Sequence, residues 1–391
     1  MRRVSYGPVA DADELAALVE LQALAFNLAP EFCRQWSAEC GPERMRAYRD
    51  DGRLVGCAAI HPFGQYWGGR VVAMAGIDGV GIDPAHRGRG HARALMTEIL
   101  RECRARGIPV STLWPSTEGP YRAVGYAVAG VGWRWRVPLH EIPSGEGGLP
   151  VRRFTEADRP AVEAARRTWA ARRDGQVDRD AFLWARSFAR HGRHALGWIA
   201  GREGAVEGFV SVHQERAPSG ALELELFDWW ANTAAGTASL LAFLREHRAQ
   251  ADAFTCEASP ADPLWLRLTN QHRQPVRAGI FMLRLVDVAG ALTARGYPPG
   301  VRGALHLRVR DALFPENDGA FVLHVADGAG GVEAGGRGDL ECDVAALAPL
   351  YTGHCSASQL VSAGCCTSTP DALALADAAF AGPQPWMADQ F

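Results

Sequence analysis

The sequence predicts an α/β protein in three successive parts, the last of them α+β. Three observations carry this. Glycine-bounded, strand-like runs alternate with helical stretches through the first part. A block beginning near residue 150 partly repeats that pattern. From about residue 284 the texture changes to alternating strands joined by turn chemistry. With 391 residues the chain has room for two or three cores.

Residues 13–26 place Leu15, Leu18, Val19, Gln22 and Phe26 at helical spacing. "GRLVGCAAI" (52–60) and "GRVVAMAGI" (69–77) are strand-like. "VGIDPAHRGRGHARALM" (80–96) passes from a strand end through a bare, basic turn into a helix that reaches about Arg106. A strand "IPVSTLW" (108–114) and the segment "GPYRAVGYAVAG" (119–130) follow. "PSGEGGLP" (143–150) reads as a linker.

Beyond the linker, "VRRFTEADRPAVEAARR" (151–167) has the layout of "VSYGPVADADELAALVE" (4–20). "EGAVEGFVSVH" (203–213) aligns with "DGRLVGCAAIH" (51–61), the two ending on His213 and His61. "ALELELFDWW" (221–230) and "AAGTASLLAFLREH" (234–247) stand where the basic turn should recur, and it does not. A duplication in which one copy lost its site accounts for this; two unrelated α/β domains are the alternative. In the third part "LHLRVR" (305–310) and "FVLHV" (321–325) alternate about a turn at Asn317-Asp318-Gly319. "DGAGGVEAGGRGDL" (327–340) reads as a further hairpin and "CDVAALAPLY" (342–351) as a helix. The parts divide as 1–142, 150–283 and 284–391.

A hydrophobic content of 48% and a charged content of 22% are those of an ordinary globular protein. A net charge of −3 gives no general pull towards nucleic acid or anionic membrane. The two N-terminal arginines precede no apolar segment and no run is long enough to span a bilayer, so a cytoplasmic protein with no membrane or nucleic-acid partner is expected. The nine cysteines lack any C-x-x-C spacing, which predicts buried thiols and no metal.

The basic turn is the chemically informative stretch. A helix N-terminus carries unpaired backbone N–H groups and a partial positive charge, and a turn that lines these up binds phosphate oxygens. Gly88 and Gly90 leave the backbone bare, while Arg87 and Arg89 add charge and forked donors. Ala92, Leu95, Ile99 and Cys103 share one helix face, which anchors the turn to a sheet. The Gly-Lys-Ser/Thr of a P-loop and the third glycine of a dinucleotide fold are both missing.

Arg87-Gly88-x-Gly90-x-Ala92 after Val80-x-Ile82-Asp83-Pro84 instead resembles the acetyl-CoA signature of the GCN5-related N-acetyltransferase (GNAT) superfamily. The resemblance implies that backbone amides of Arg87, Gly88, Arg89, Gly90, His91 and Ala92 hold the pyrophosphate of acetyl-CoA. It implies that backbone groups of Val80 and Ile82 pair with the pantetheine arm. Tyr121, in "YRAVGY", then falls at the general acid that protonates the departing thiolate, a task open to a phenol of ordinary pKa near ~10. Tyr126, the aromatic after Gly125, is its rival and is more at home in a core.

Over nearly its full length the chain resembles the Eis (enhanced intracellular survival) family. The matching segments are "PSTEGPYRAVGYAV", "FMLRLVDVAGALTARGY" (281–297), "FPENDGAFVLHVADG" and the ending "PWMADQF". This implies two tandem GNAT-type mixed-sheet domains, the second degenerate, and a C-terminal sterol-carrier-protein-like α+β domain. It also implies a homo-hexamer, acetyl-CoA as donor, and as acceptor a small-molecule amine, aminoglycoside-like or another natural-product or peptide amine, served by direct transfer in a ternary complex.

The resemblance further implies that the terminal carboxylate, here that of Phe391, serves as base or ammonium anchor. With an ordinary pKa near ~3.5 it is a weak base, so attraction of the ammonium is its larger contribution. Pro385, Trp386, Met387 and Phe391 make an unusually apolar ending, which suggests a docked tail. His61 and Asp78 are fallback bases, and Phe26, Glu31, Trp36 and Asp78 are the acceptor-side candidates. A lipid carrier or sensor with an idle acetyltransferase domain is the competing class.

Overall fold

The computed structural model describes residues 4–145, 147–216 and 220–391. They fall into two compact units: residues up to 130 with 280–385 and 390–391, and residues 131–279 with 386–389.

In the first unit, β1 (Val4–Pro8), β2 (Met45–Asp50), β3 (Arg53–Trp67) and β4 (Arg70–Ile82) pair antiparallel in that order. β5 (Val110–Leu113) lies parallel to β4, and the crossover between them is a helix, α3 (His91–Ala105), numbered after α1 (Ala12–Phe26) and α2 (Pro30–Cys40). The Met282–Leu285 end of the strand Gln274–Leu285 pairs antiparallel with β5. Along α3, Leu95, Met96, Ile99, Leu100 and Cys103 recur at helical spacing and pack with Val55, Ile60, Ala75 and Ile77 of β3 and β4.

α2 and β2 are among the elements with no counterpart in the sequence reading. α2 buries only Cys33, Ser37 and Cys40, so its apolar periodicity is weak. β2, "MRAYRD", reads as polar yet lies inside because its arginines are partnered. Arg46 reaches Glu102 at 2.6 Å and Arg49 reaches Glu14 at 2.5 Å. Paired heads let the long stems cover apolar surface.

The third part is a five-stranded sheet in the order Ala329–Ala334, Gly319–Ala326, Gly303–Arg310, Leu340–Asp343, Cys366–Ser368. Leu305, Leu307, Val309, Phe321, Leu323 and Val325 all point to its buried face, as strand alternation requires. The turn expected at Asn317-Asp318-Gly319 is not a tight hairpin. Asn317 is buried, and its amide donates to Val286 O at 3.1 Å and to Asp311 at 2.9 Å.

Asp311 belongs to a buried ion pair: Arg284 Nη2 donates to its two oxygens at 2.8 and 2.6 Å, and Arg284 Nε donates to Val124 O at 3.0 Å. Burial opposes both charges. It pulls Arg284 down, whereas at Asp311 burial is outweighed by the Arg284 charge together with hydrogen bonds from Arg284, Asn317 and Leu313 N, which hold that carboxyl below its usual range. The pair joins the last strand of the mixed sheet to the segment after Gly303–Arg310, and the Nε bond ties that strand to the loop beside Tyr121. A second tie is a backbone contact, since a Cβ on Gly68 would stand 2.1 Å from Gly296 O.

The second unit repeats the succession around β3, β4 and β5. Gly208–Arg216 pairs antiparallel with Leu222–Ala231, which lies parallel to Ala251–Glu257 across the helix Ala234–Arg245. Leu196–Ala200 and Val151–Arg153 extend one side, and Arg134–Pro138 pairs antiparallel with Ala251–Glu257 on the other. Of the segment 203–213 that aligns with 51–61, the strand includes only the part from Gly208. All nine cysteines are free, and Cys365 alone is exposed. No helix among the described residues is long and apolar enough to cross a membrane.

Replacing Arg284 with Met strands Asp311 as a buried, unpaired carboxylate. The expected loss of stability is about 3–5 kcal/mol in chemical denaturation, and adding Asp311→Leu should recover part of it. A single variant within about 1 kcal/mol of the parent would show that the pair is not a structural tie.

Candidate active site

The site is built on the far end of β4. Pairing with β5 stops at Ile77–Leu113, while β4 continues to Ile82 with only its β3 edge paired. The two parallel strands therefore part beyond Ile77. A bulge opposite Cys57–Ala59 puts Gly79 at φ 59. A Cβ there would lie 2.8 Å from Gln22 Nε2 and 2.9 Å from Trp36 Cη2. Trp36 thus stands over the bulge beside Asp78.

Beyond β4, the Asp83 side chain accepts from Ala85 N at 2.9 Å and starts a short 3-10 turn, Pro84–His86. Gly88 (φ 75) and Gly90 (φ 83) follow, both left-handed, a conformation other residues adopt only at a cost. A Cβ on either would meet nothing within 4 Å. The protein itself does not crowd these glycines; the space in front of them is open.

Gly90 is also the N-cap of α3, and no side chain caps that helix. α1 and the helices starting at 181, 234, 288, 344, 357 and 370 are capped by Asp11, Asp180, Thr233, Asp287, Asp343, Ser356 and Thr369. α2 also lacks a side-chain cap, but Pro30 removes a donor from its first turn. The corresponding helix of the second unit is closed, because Thr233 Oγ1 accepts from Gly236 N at 2.9 Å.

Around the α3 terminus, Arg89 is exposed. Arg87 donates to Ala25 O at 2.9 Å and pins the C-terminal end of α1. The His91 ring turns inward onto Tyr48 and stands 3.8 Å from Asp50, which leaves only its backbone for a ligand. Val80, Ile82 and Ala92 are half-buried.

Tyr121 sits in the short helix Gly119–Arg122 and is buried, with its ring 6.1 Å from that of Tyr126. Burial first, and the Asp78 carboxylate second, push its phenol up to about 12. The Tyr126 hydroxyl is fully buried and tied to Ser111 Oγ at 2.7 Å; burial raises its phenol well beyond the usual range.

His61 is fully buried. Arg44 Nη1 lies 3.1 Å from its Nδ1, and its Nε2 lies 4.0 Å from both Asp78 Oδ2 and Cys40 Sγ. A guanidinium only donates, so Nδ1 is assigned as the acceptor and Nε2 carries the hydrogen. The ring stacks on Phe63 at 5.1 Å, and the Phe391 ring lies 5.2 Å from Phe63 and 5.8 Å from His61. A Cβ on Gly76 would fall 2.8 Å from Phe391 Cε2 and 3.0 Å from Phe63 Cδ2. The last ring of the chain lies on β4 at Gly76, two positions from Asp78.

In the second unit the tail before it is held by Trp386 N donating to Asp174 O at 3.1 Å, Met387 N to Val131 O at 3.0 Å, and Arg179 Nε to Asp389 at 2.9 Å. Asp78 thus stands beside the Trp36 bulge and 4.0 Å from His61, and its charge acts on the Tyr121 phenol. Glu31 and Phe26 are not drawn in: Glu31 is exposed and paired with Arg34 at 2.6 Å, and Phe26 is exposed at the end of α1. Gly76, Phe63 and Arg44 escaped the sequence reading, although a glycine inside a strand is itself a signal of close approach. Cys57 is buried and pushed up to about 12 by that burial, and burial also raises Cys33. Neither is a ready nucleophile.

Residues 9–129 and 175–285 each match the family described as Acetyltransferase (GNAT) domain, and 288–388 match Sterol carrier protein domain. The first two parts are therefore both GNAT-type domains and not unrelated α/β domains. An uncharacterized N-acetyltransferase of Streptomyces griseus is 30% identical, covering 83% of this chain and 83% of its own. N-acetyltransferase Eis of Mycobacterium tuberculosis is 28% identical over 95% of this chain and 96% of its own. A GCN5-related N-acetyltransferase from Anabaena variabilis has a TM-score of 0.95 at 34% identity over the whole of both chains.

Gly76→Ala should lift the Phe391 ring off β4 while leaving the core intact. The expected result is rapid trimming of the C-terminus by carboxypeptidase with a melting temperature close to the parent's; an end as resistant as the parent's would mean that Gly76 does not seat it.

Proposed function

The chain belongs to the Eis-like N-acetyltransferases of the GNAT superfamily, and we propose that it acetylates a primary amine of an aminoglycoside-like, natural-product or peptide acceptor, with acetyl-CoA as donor. One observation carries this: an uncapped helix N-terminus, open in front of Gly88 and Gly90, follows the edge of β4 that carries Asp78. The fit to a diphosphate is physical, since bare amides and the exposed Arg89 offer donors and positive charge. The donor supplies an activated thioester carbonyl. Backbone groups of Val80 and Ile82 would align its arm along the open edge.

Asp78 and the terminal carboxylate of Phe391 would draw the acceptor in as its ammonium form. An ammonium about 4 Å from one carboxylate gains about 4 kcal/mol at the effective dielectric of a protein surface. Freeing its proton at neutral pH costs about as much, some ~3 pKa units. Binding therefore does not itself activate the amine, and a base is needed. In its assigned tautomer His61 offers no free lone pair towards Asp78. This favours the terminal carboxylate, through a water, as the proton acceptor.

Tyr121 keeps its proton throughout the neutral range, because its phenol is pushed up to about 12. Against a thiol of ordinary pKa near ~8.5, complete transfer runs uphill by about 5 kcal/mol. A hydrogen bond to the developing thiolate is then its main contribution. Part of the raised value comes from Asp78, so an ammonium bound at Asp78 would lower it and prime the acid. No cysteine is placed to carry the acetyl group, which favours direct transfer in a ternary complex. The homo-hexamer implied by the resemblance and the cytoplasmic location expected from the sequence belong to this proposal, as do domains read at 1–142, 150–283 and 284–391.

Tyr121→Phe should lower kcat by about 10²–10³ with unchanged acetyl-CoA affinity by calorimetry; an unaltered kcat would remove Tyr121 from the mechanism. Asp78→Asn removes a charge that raises the Tyr121 phenol. The phenol must be protonated to donate, so activity should be lost at lower pH on the alkaline side than in the parent; a limb that stays in place would uncouple the two residues.

A further inference from the structure

One cluster of metal-ligating side chains occurs among the described residues: His140, Glu141 and His272, all in the second unit, with ligand atoms within 4.8 Å of one another. Glu141 ends the 3-10 turn Leu139–Glu141, which follows the strand Ala127–Pro138, and its side chain is fully buried. Its orientation is fixed. Oε2 accepts from Asn270 N at 2.7 Å, and the Glu141 backbone carbonyl accepts from Thr269 N at 2.8 Å.

Oε1 faces two imidazoles at once, His272 Nδ1 at 2.5 Å and His140 Nε2 at 3.4 Å. Both rings are largely exposed, 68% and 74%. A carboxylate oxygen has two lone pairs, and here both face imidazoles that reach in from solvent.

We propose that His140, Glu141 and His272 form a divalent-metal site that takes Zn²⁺. Bonds of about 2.0–2.1 Å in a tetrahedron set ligand atoms about 3.3 Å apart. His140 already stands at that spacing from Oε1, His272 has to withdraw by less than about 1 Å, and the two ring nitrogens, which lie within 4.8 Å of each other, have to settle to the same spacing, small rotations for exposed rings. Two imidazoles and one carboxylate suit zinc, whereas magnesium and calcium want oxygen ligands. Three protein ligands leave the fourth position to water. The ion would clip the loop at 269–273 to a turn 131 positions earlier in the chain, so its effect is on stability.

The test is equilibrium dialysis of the chelator-treated full chain against Zn²⁺, with metal content and thermal unfolding as readouts. One equivalent per chain and a raised melting temperature are expected. His140→Ala and His272→Ala should each weaken binding by more than about tenfold, since even the outer partners of a metal site are worth that much. They should also remove the thermal shift, while Cys365→Ser changes neither readout. No zinc uptake by the parent chain would overturn the proposal, and so would undiminished uptake by the double histidine variant.

Discussion

Four backbone N–H groups at the start of α3 have no cap from a side chain, and the site is organised around that vacancy in the helix's own hydrogen bonding. The first turn of a helix must find acceptors, in side chains, water or a ligand. Here the cap position is Gly90, held left-handed, with open space before it. The second unit shows the same supersecondary plan with the opposite outcome, because Thr233 supplies the acceptor itself. A single capping residue separates a helix end that can receive an anion from one that is already satisfied. The apolar face of α3 keeps the terminus in place against β3 and β4.

Charge is distributed to match. Positive potential gathers at the turn, from the helix dipole and Arg89. Negative charge gathers at Asp78 and at the chain's own end, whose ring rests on Gly76. The tail that delivers this end passes Arg179, a buried cation balanced by Asp228 and Asp389. An overall charge of −3 conceals this polarity. A donor rich in phosphate and an acceptor bearing an ammonium are what such a division would accommodate.

What could be seen in the sequence was whatever is local. The turn at 80–92 carries its conformation, donors and anchoring face within thirteen consecutive residues, and the internal repeat is visible by eye. Tyr121 was separable from Tyr126 only as a preference; the tie of Tyr126 to Ser111 depends on the pairing of distant elements. Long-range apposition stayed hidden. Gly76 shows as a strand glycine, but the ring that needs the space is the last residue of the chain. β2 was disguised by arginines whose partners, Glu14 and Glu102, lie in other elements. Asn317 carries turn chemistry locally and serves as a buried strut, because Asp311 and Val286 claim its amide. The histidines at 140 and 272 carry no spacing signal at all.

The central claim is that the α3 terminus receives the donor's diphosphate. A crystal of the full chain soaked with CoA tests it most directly. The expected density places phosphate oxygens within hydrogen-bonding distance of the amides between Arg87 and Ala92, with the first turn of Ala234–Arg245 unliganded. Phosphate density at Gly236, or elsewhere with the Gly90 turn bare, would contradict the account.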